Sequence, residues 1–87
     1  MFYVYVLHSD KDGLLYTGAT GDLKERMEQH NSGRVISTKA RLPVRLVYYE
    51  ACLSQADAFR REKYLKSGPG KRYLKNRLKD SLASLTG

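Results

Sequence analysis

The 87-residue sequence contains a single cysteine, Cys52, so no disulfide can close within the chain. One thiol and two distant imidazoles, His8 and His30, also exclude a Cys/His zinc site. No apolar run approaches the ~18 residues needed to cross a bilayer. The N-terminus lacks a basic segment followed by an apolar stretch and a small-residue cleavage site, so no signal peptide is expected. Acidic side chains are scarce: nine Asp and Glu stand against sixteen Lys and Arg, a formal net charge of +7. A domain takes roughly 100–200 residues, so the length allows one, spanning 1–87. An apolar fraction of 41%, with seven Tyr and two Phe, suffices for one small core and is too high for a disordered chain. The expectation is a small, basic, cytoplasmic globular domain.

The positive charge is concentrated. Residues 1–53 hold seven basic and six acidic side chains, whereas residues 54–87 hold nine basic and three acidic. Clustered cations attract a polyanion through counterion release, and nucleic acid is the commonest such partner. A solvated helix face that keeps the protein soluble is the other reading.

Residues 2–8 are aromatic and β-branched and predict a buried strand. Asp12-Gly13 marks a turn, and Leu14 to Gly18 returns as the second strand of a hairpin. Side chains alternate along a strand, so Tyr3, Tyr5 and Leu7 share a face, with Tyr5 nearly opposite Tyr16. Asp22 and Glu25 form a capping-box pattern that opens a helix to about Asn31, with Gly33 as its stop. Leu23, Met27 and His30 form its inward stripe, and Arg26 flanks it. Residues 32–43 read as a polar loop and Val44 to Glu50 as a third strand. Ser54 to Asp57 is a second capping box, starting a helix to Lys66. Ser67-Gly68-Pro69-Gly70 breaks that helix, and a last one from about Lys71 carries Leu74, Leu78, Leu82 and Leu85 along one face. The order ββαβαα predicts an α/β (α+β) fold, a small three-stranded antiparallel sheet flanked by helices.

Glu62 is out of place in this pattern. At about 100° per residue, Ala58, Glu62 and Leu65 fall in one arc with Phe59 beside it, which puts a carboxylate on an inward face. An inward charge needs a cation partner, and either a salt bridge to one of the Arg residues or a metal ion would serve. Tyr5 and Tyr16, each alone, read as strand packing, Arg26 as a surface cation and His30 as a satisfied core histidine. No Ser-His-Asp pattern or Gly-rich phosphate loop is present.

Taken together, these residues resemble a known family. Tyr3-Val4-Tyr5, ten intervening residues and Tyr16-Thr17-Gly18 resemble the paired motif of the GIY-YIG nuclease domain. The family's later signatures are an Arg in the first helix, a His one turn on and a lone Glu on a later helix; Arg26, His30 and Glu62 match them in order. The resemblance covers roughly residues 3–79 and points to the compact single-domain members. Tyr3 stands where the motif name has Gly and Thr17 where it has Ile, but neither position supplies a functional group. Asn76, the nearest match to an Asn that follows the Glu in many members, falls opposite the leucine face and is set aside.

The resemblance implies a metal-dependent endonuclease acting on nucleic acid, with DNA the favoured substrate. Tyr5 would be the base, Tyr16 would orient it, Arg26 would neutralise the phosphate and His30 would accept the Tyr5 proton. A phenol with a pKa of about 10 is a weak base at neutral pH, so Arg26 and a metal ion would have to lower it. A single carboxylate suits one ion, Mg²⁺ or Mn²⁺, which keeps several waters and takes a substrate phosphate oxygen. Glu62 would hold that ion, and Lys63, Lys66, Lys71, Arg72 and Lys75 would bind the backbone without reading bases. The alternative is a non-catalytic nucleic-acid-binding module or subunit with the same fold.

Overall fold

The computed structural model describes residues 1–86, and the side chains of residues 1–85; Gly87, the end of the expected domain, lies outside the described residues. Three antiparallel strands form one sheet in the order β2-β1-β3, with β1 (Phe2–Ser9) between β2 (Leu15–Thr20) and β3 (Val44–Cys52). The central strand is buried on both faces, which is why its sequence is a nearly unbroken apolar run. On one face Val4 and Val6 pack with Ala58, Leu65, Leu74 and Leu78. On the other, Tyr5 and Leu7 pack with Val44, Leu23, Met27 and Leu42. Val4, Tyr5, Val6 and Leu7 are all fully buried, and each contributes roughly 1.5–3 kcal/mol as a transfer estimate.

Five helices cover this sheet. The first, α1 (Leu23–Asn31), starts as its capping pattern predicts, with the Asp22 carboxylate accepting from the Glu25 N–H at 3.0 Å. The expected loop 32–43 instead contains a short helix, α2 (Ile36–Lys39). Four residues carry too little periodicity to be seen in a sequence. Helix α3 (Gln55–Leu65) is capped by Ser54, as expected. Its Phe59 is more than half exposed, so only Ala58 and Leu65 of the predicted arc are core residues.

The last helix differs most from expectation. Residues predicted as one helix from Lys71 form α4 (Gly68–Arg77) and α5 (Lys79–Thr86), separated at Leu78. Gly68-Pro69-Gly70 is not a linker but the first turn of α4. Ser67 caps it by accepting from the Gly70 N–H, and proline is favoured in a first turn, where its missing N–H costs nothing. Gly70 is required there for a second reason: a Cβ would overlap the backbone carbonyl of Tyr64 and crowd Leu65. Backbone contact at this corner lets α4 pack directly on α3.

Gly70→Ala should therefore cost about 1–3 kcal/mol or more, because the clash is with backbone. Gly68→Ala, whose Cβ would meet only the Arg72 side chain at 3.9 Å, should be neutral or slightly stabilising. Urea unfolding of the two variants tests the contrast, and equal midpoints would refute it.

Candidate active site

The hairpin register decides which groups meet. Tyr5 pairs with Gly18, and Tyr16 lies opposite Leu7, two residues along β1 from the expected position beside Tyr5. Both phenols still lie on the α1 side of the sheet, with ring centroids 6.4 Å apart. Gly18 gives the Tyr5 ring its space, since a Cβ there would overlap the phenol oxygen. A glycine inside a strand is the sequence mark of such a close approach.

Helix α1 brings Arg26 and His30 to the same phenol. The Tyr5 oxygen lies 2.8 Å from His30 Nε2, and Arg26 Nε donates to that oxygen at 3.3 Å. His30 meets the rings of Tyr5 and Tyr16 edge-on, with centroids 5.5 and 5.4 Å away. Its other nitrogen, Nδ1, lies 2.7 Å from Thr38 Oγ1 on α2. With His30 neutral, the phenol can donate to Nε2 while it accepts from Arg26. The neutral imidazole then carries its own proton on Nδ1, toward Thr38. Arg26 Nη1 donates to Gln29 Oε1 at 2.9 Å, and Ser37 Oγ donates to the Tyr16 oxygen at 3.2 Å.

Thr38, Gln29 and Ser37 were not singled out from the sequence. Gln29 was detectable, lying three residues after Arg26 on the same helix face. Thr38 and Ser37 fall in the segment read as a loop, where no spacing rule could tie them to His30 or Tyr16.

The electrostatics correct the expectation for Tyr5. Its pKa is raised, because burial of the phenol outweighs the hydrogen bond from Arg26, and the charges of Tyr16 and Glu62 push the same way. Arg26 alone does not make Tyr5 a strong base. His30 is pushed down to about 4 by burial and by the nearby Arg26 cation, so it is neutral at physiological pH. Both groups thus sit in their uncharged forms.

Glu62 is half-buried, and its side chain keeps 22% of its exposure. Its partner is not an Arg: Oε2 lies 3.0 Å from Nζ of Lys66, one turn along α3 and itself half exposed. Arg61, the residue before it, is the one that makes an ion pair across elements. Its Nε and Nη2 donate to the two Glu50 oxygens of β3 at 2.9 and 3.0 Å. Glu62 is thus left with a flexible ammonium group that could move away. No cluster of three His, Cys, Asp or Glu is present among the described residues, so no protein cage for a metal exists there. One accessible carboxylate fits a Mg²⁺ or Mn²⁺ ion held chiefly by water and substrate phosphate.

The cations divide into two groups. Lys66, Lys71 and Lys75 line one groove between the hairpin and α3–α4, whereas Lys63 and Arg72 are exposed but do not line it. Asn76 is also exposed.

The depressed His30 pKa has a consequence for folding. As pH falls from about 6.5 toward 4, the unfolded chain takes up a proton that the folded state refuses, so stability should drop across that window. Asp12 and Glu50, whose pKa values are lowered from 3.8 and 4.5, add their own loss only at the acid end of that window, below about pH 5. Melting curves from pH 7 to about 4.5 should show the slope, and His30→Gln should flatten it. An unchanged slope in that variant would assign the effect to another group.

Comparison with known proteins follows the same residues. The model of the GIY-YIG catalytic domain matches residues 1–80. UPF0213 protein SAG0778 of Streptococcus agalactiae serotype V is 49% identical over 65 residues, covering 74% of this chain and 73% of that protein. The UPF0213 protein in the ldhD 5′ region of Pediococcus acidilactici is 43% identical over 81 residues, covering 86% and 82%. The solution NMR structure of the UPF0213 protein BH0048 from Bacillus halodurans is 38% identical, with a TM-score of 0.47 over 100% of this chain and 87% of that one. GIY-YIG domains are in general nuclease domains. With nearly its whole length matched, the chain belongs to the GIY-YIG catalytic-domain family.

Proposed function

We propose that this protein is a metal-dependent endonuclease that hydrolyses phosphodiester bonds in DNA within the cytoplasm. The observation that carries the proposal is the Tyr5 hydroxyl, held between the Arg26 guanidinium and a neutral His30 Nε2. Tyr5 removes the proton of the attacking water and passes its own to Nε2 along the existing 2.8 Å contact. A buried imidazole with a pKa of about 4 is unprotonated, so Nε2 can receive the proton in passing, but as a weak base it does not hold it. Arg26 neutralises the charge that grows on the phosphate in the transition state. Tyr16, edge-on to His30, holds the imidazole and the substrate side of Tyr5 in place. Glu62 would hold Mg²⁺ or Mn²⁺, and the ion would supply positive charge for the leaving oxygen. Lys63, Lys66, Lys71, Arg72 and Lys75 bind the backbone.

The raised Tyr5 pKa and its complete burial favour a second reading, a nucleic-acid-binding module that does not cleave. The two separate on variants. Tyr5→Phe should lose cleavage by about 100-fold or more. It should also lose about 1–3 kcal/mol of stability, since His30 Nε2 and Arg26 lose their shared partner. Wild-type-like cleavage by that variant would remove Tyr5 as the base. Glu62→Gln should abolish cleavage yet keep binding. Its melting temperature should hardly change, because an exposed i,i+4 pair is worth about 0.3–0.5 kcal/mol. A Glu62→Gln protein that still cleaves would overturn the metal assignment. No Mg²⁺- or Mn²⁺-dependent cleavage by wild type across duplex, branched, nicked and single-stranded substrates would favour the binding module.

A further inference from the structure

The groove lined by Lys66, Lys71 and Lys75 is not merely a basic patch. Its volume is about 730 Å³, and its lining includes Leu14 and Leu15 from the hairpin, Leu65 and Leu74 from α3 and α4, and Leu82 from α5. Leu65 and Leu74 lie fully buried beneath it, and its accessible apolar surface comes from Leu14, 62% exposed at the rim, with half-buried Leu15 and Leu82. Exposed apolar surface ringed by charge marks a binding surface. Lys66 belongs both to this groove and to Glu62, 3.0 Å away, so the groove adjoins the candidate metal-holding carboxylate.

The pairing of lysines with leucines selects among nucleic acids. A duplex keeps its bases stacked inside and offers a protein its phosphates and groove edges. Phosphates would engage the ammonium groups, but Leu14, Leu15 and Leu82 would gain nothing. An unpaired strand offers both, since its phosphates meet the lysines and its freed bases lay apolar faces on those three leucines. The choice of DNA over RNA comes from the nuclease reading above and not from the groove, whose Tyr16 and Thr17 hydroxyls could meet a ribose 2′-OH as well.

We infer that this groove binds an unpaired stretch of DNA, and that the phosphate offered to Tyr5 and Glu62 adjoins single-stranded rather than continuous duplex substrate. The inference rests on the nucleic-acid reading given above and narrows its substrate class.

Binding measured in chelator separates the two. Fluorescence anisotropy with labelled oligonucleotides of about 12 nucleotides compares single-stranded DNA, the matching duplex and single-stranded RNA, a length within the span one binding site covers. The wild-type protein should bind the single DNA strand about tenfold more tightly than the duplex, and no less tightly than the RNA. Leu14→Ser should weaken single-strand binding by about threefold or more and leave duplex binding unchanged. Leu53→Ser removes a still more exposed leucine outside the groove and should change neither. Amide shifts on titration with the single strand should centre on residues 14–17 and 71–75. Tighter binding to duplex, tighter binding to RNA, an equal effect of Leu14→Ser on both forms, or shifts elsewhere would each overturn the inference. An inactive protein that shows the single-strand preference would sink the nuclease proposal alone, and an active one that prefers duplex would sink this inference alone.

Discussion

A phenol with no exposed surface must find its hydrogen bonds inside the protein, and Tyr5 is such a phenol. Its place on the central strand leaves it no route to water in this structure, so other residues are arranged around its hydroxyl. Gly18 has no side chain because the ring needs that volume. His30 is buried because it takes the phenol proton, and Thr38 is buried because His30 has a second nitrogen to satisfy. Arg26 reaches in from the rim. Four elements, β1, β2, α1 and α2, are thus tied to one oxygen atom, and polar groups that would each be costly to bury become inexpensive as a chain.

The same enclosure keeps the group quiet. Burial disfavours the phenolate and the imidazolium alike, so the pair rests with both members uncharged. Any chemistry that draws on Tyr5 must therefore be coupled to the arrival of positive charge or to a change in hydration. Glu62 bears on this directly: its negative charge is among those that hold the phenol pKa up. A cation bound at Glu62 would cancel that influence on the same group.

Much of this was legible in the sequence, and the boundary of legibility is physical. The strands, the capped helices α1 and α3, and the order of Tyr5, Tyr16, Arg26, His30 and Glu62 all rest on local spacing, which a sequence displays directly. The two-residue shift that sets Tyr16 opposite Leu7 depends on how the turn around Gly13 closes, with its φ of +73°, and residue spacing alone does not reveal it. The Gly68-Pro69-Gly70 segment misleads because the same residues that end helices also begin them. Only the Ser67 cap and the close approach at Gly70 decide between the two. Glu62 stands out in the sequence as an inward carboxylate; its partner Lys66 follows the i,i+4 spacing of a helix, whereas the pairing of neighbouring Arg61 with Glu50 requires knowing which helix face meets which strand.

Arg61 supplies that last piece of information to the molecule itself. Adjacent residues on a helix diverge by about 100°, so Arg61 and Glu62 cannot serve the same side. With both of its donors fixed on Glu50, and its guanidinium 5.0 Å from the Tyr73 ring and 5.4 Å from that of Tyr64, Arg61 locks the angular phase of α3 against β3 and α4. Glu62 inherits its azimuth from that lock rather than from contacts of its own. Ala58 and Leu65, buried in the core, set the coarse phase of α3, and release of Arg61 would loosen only the finer angular hold, leaving the carboxylate less sharply aimed. An ion pair remote from Tyr5 thereby acts as the indexing pin of the site: it adds nothing to the chemistry, yet it fixes the bearing on which a carboxylate one residue away is presented.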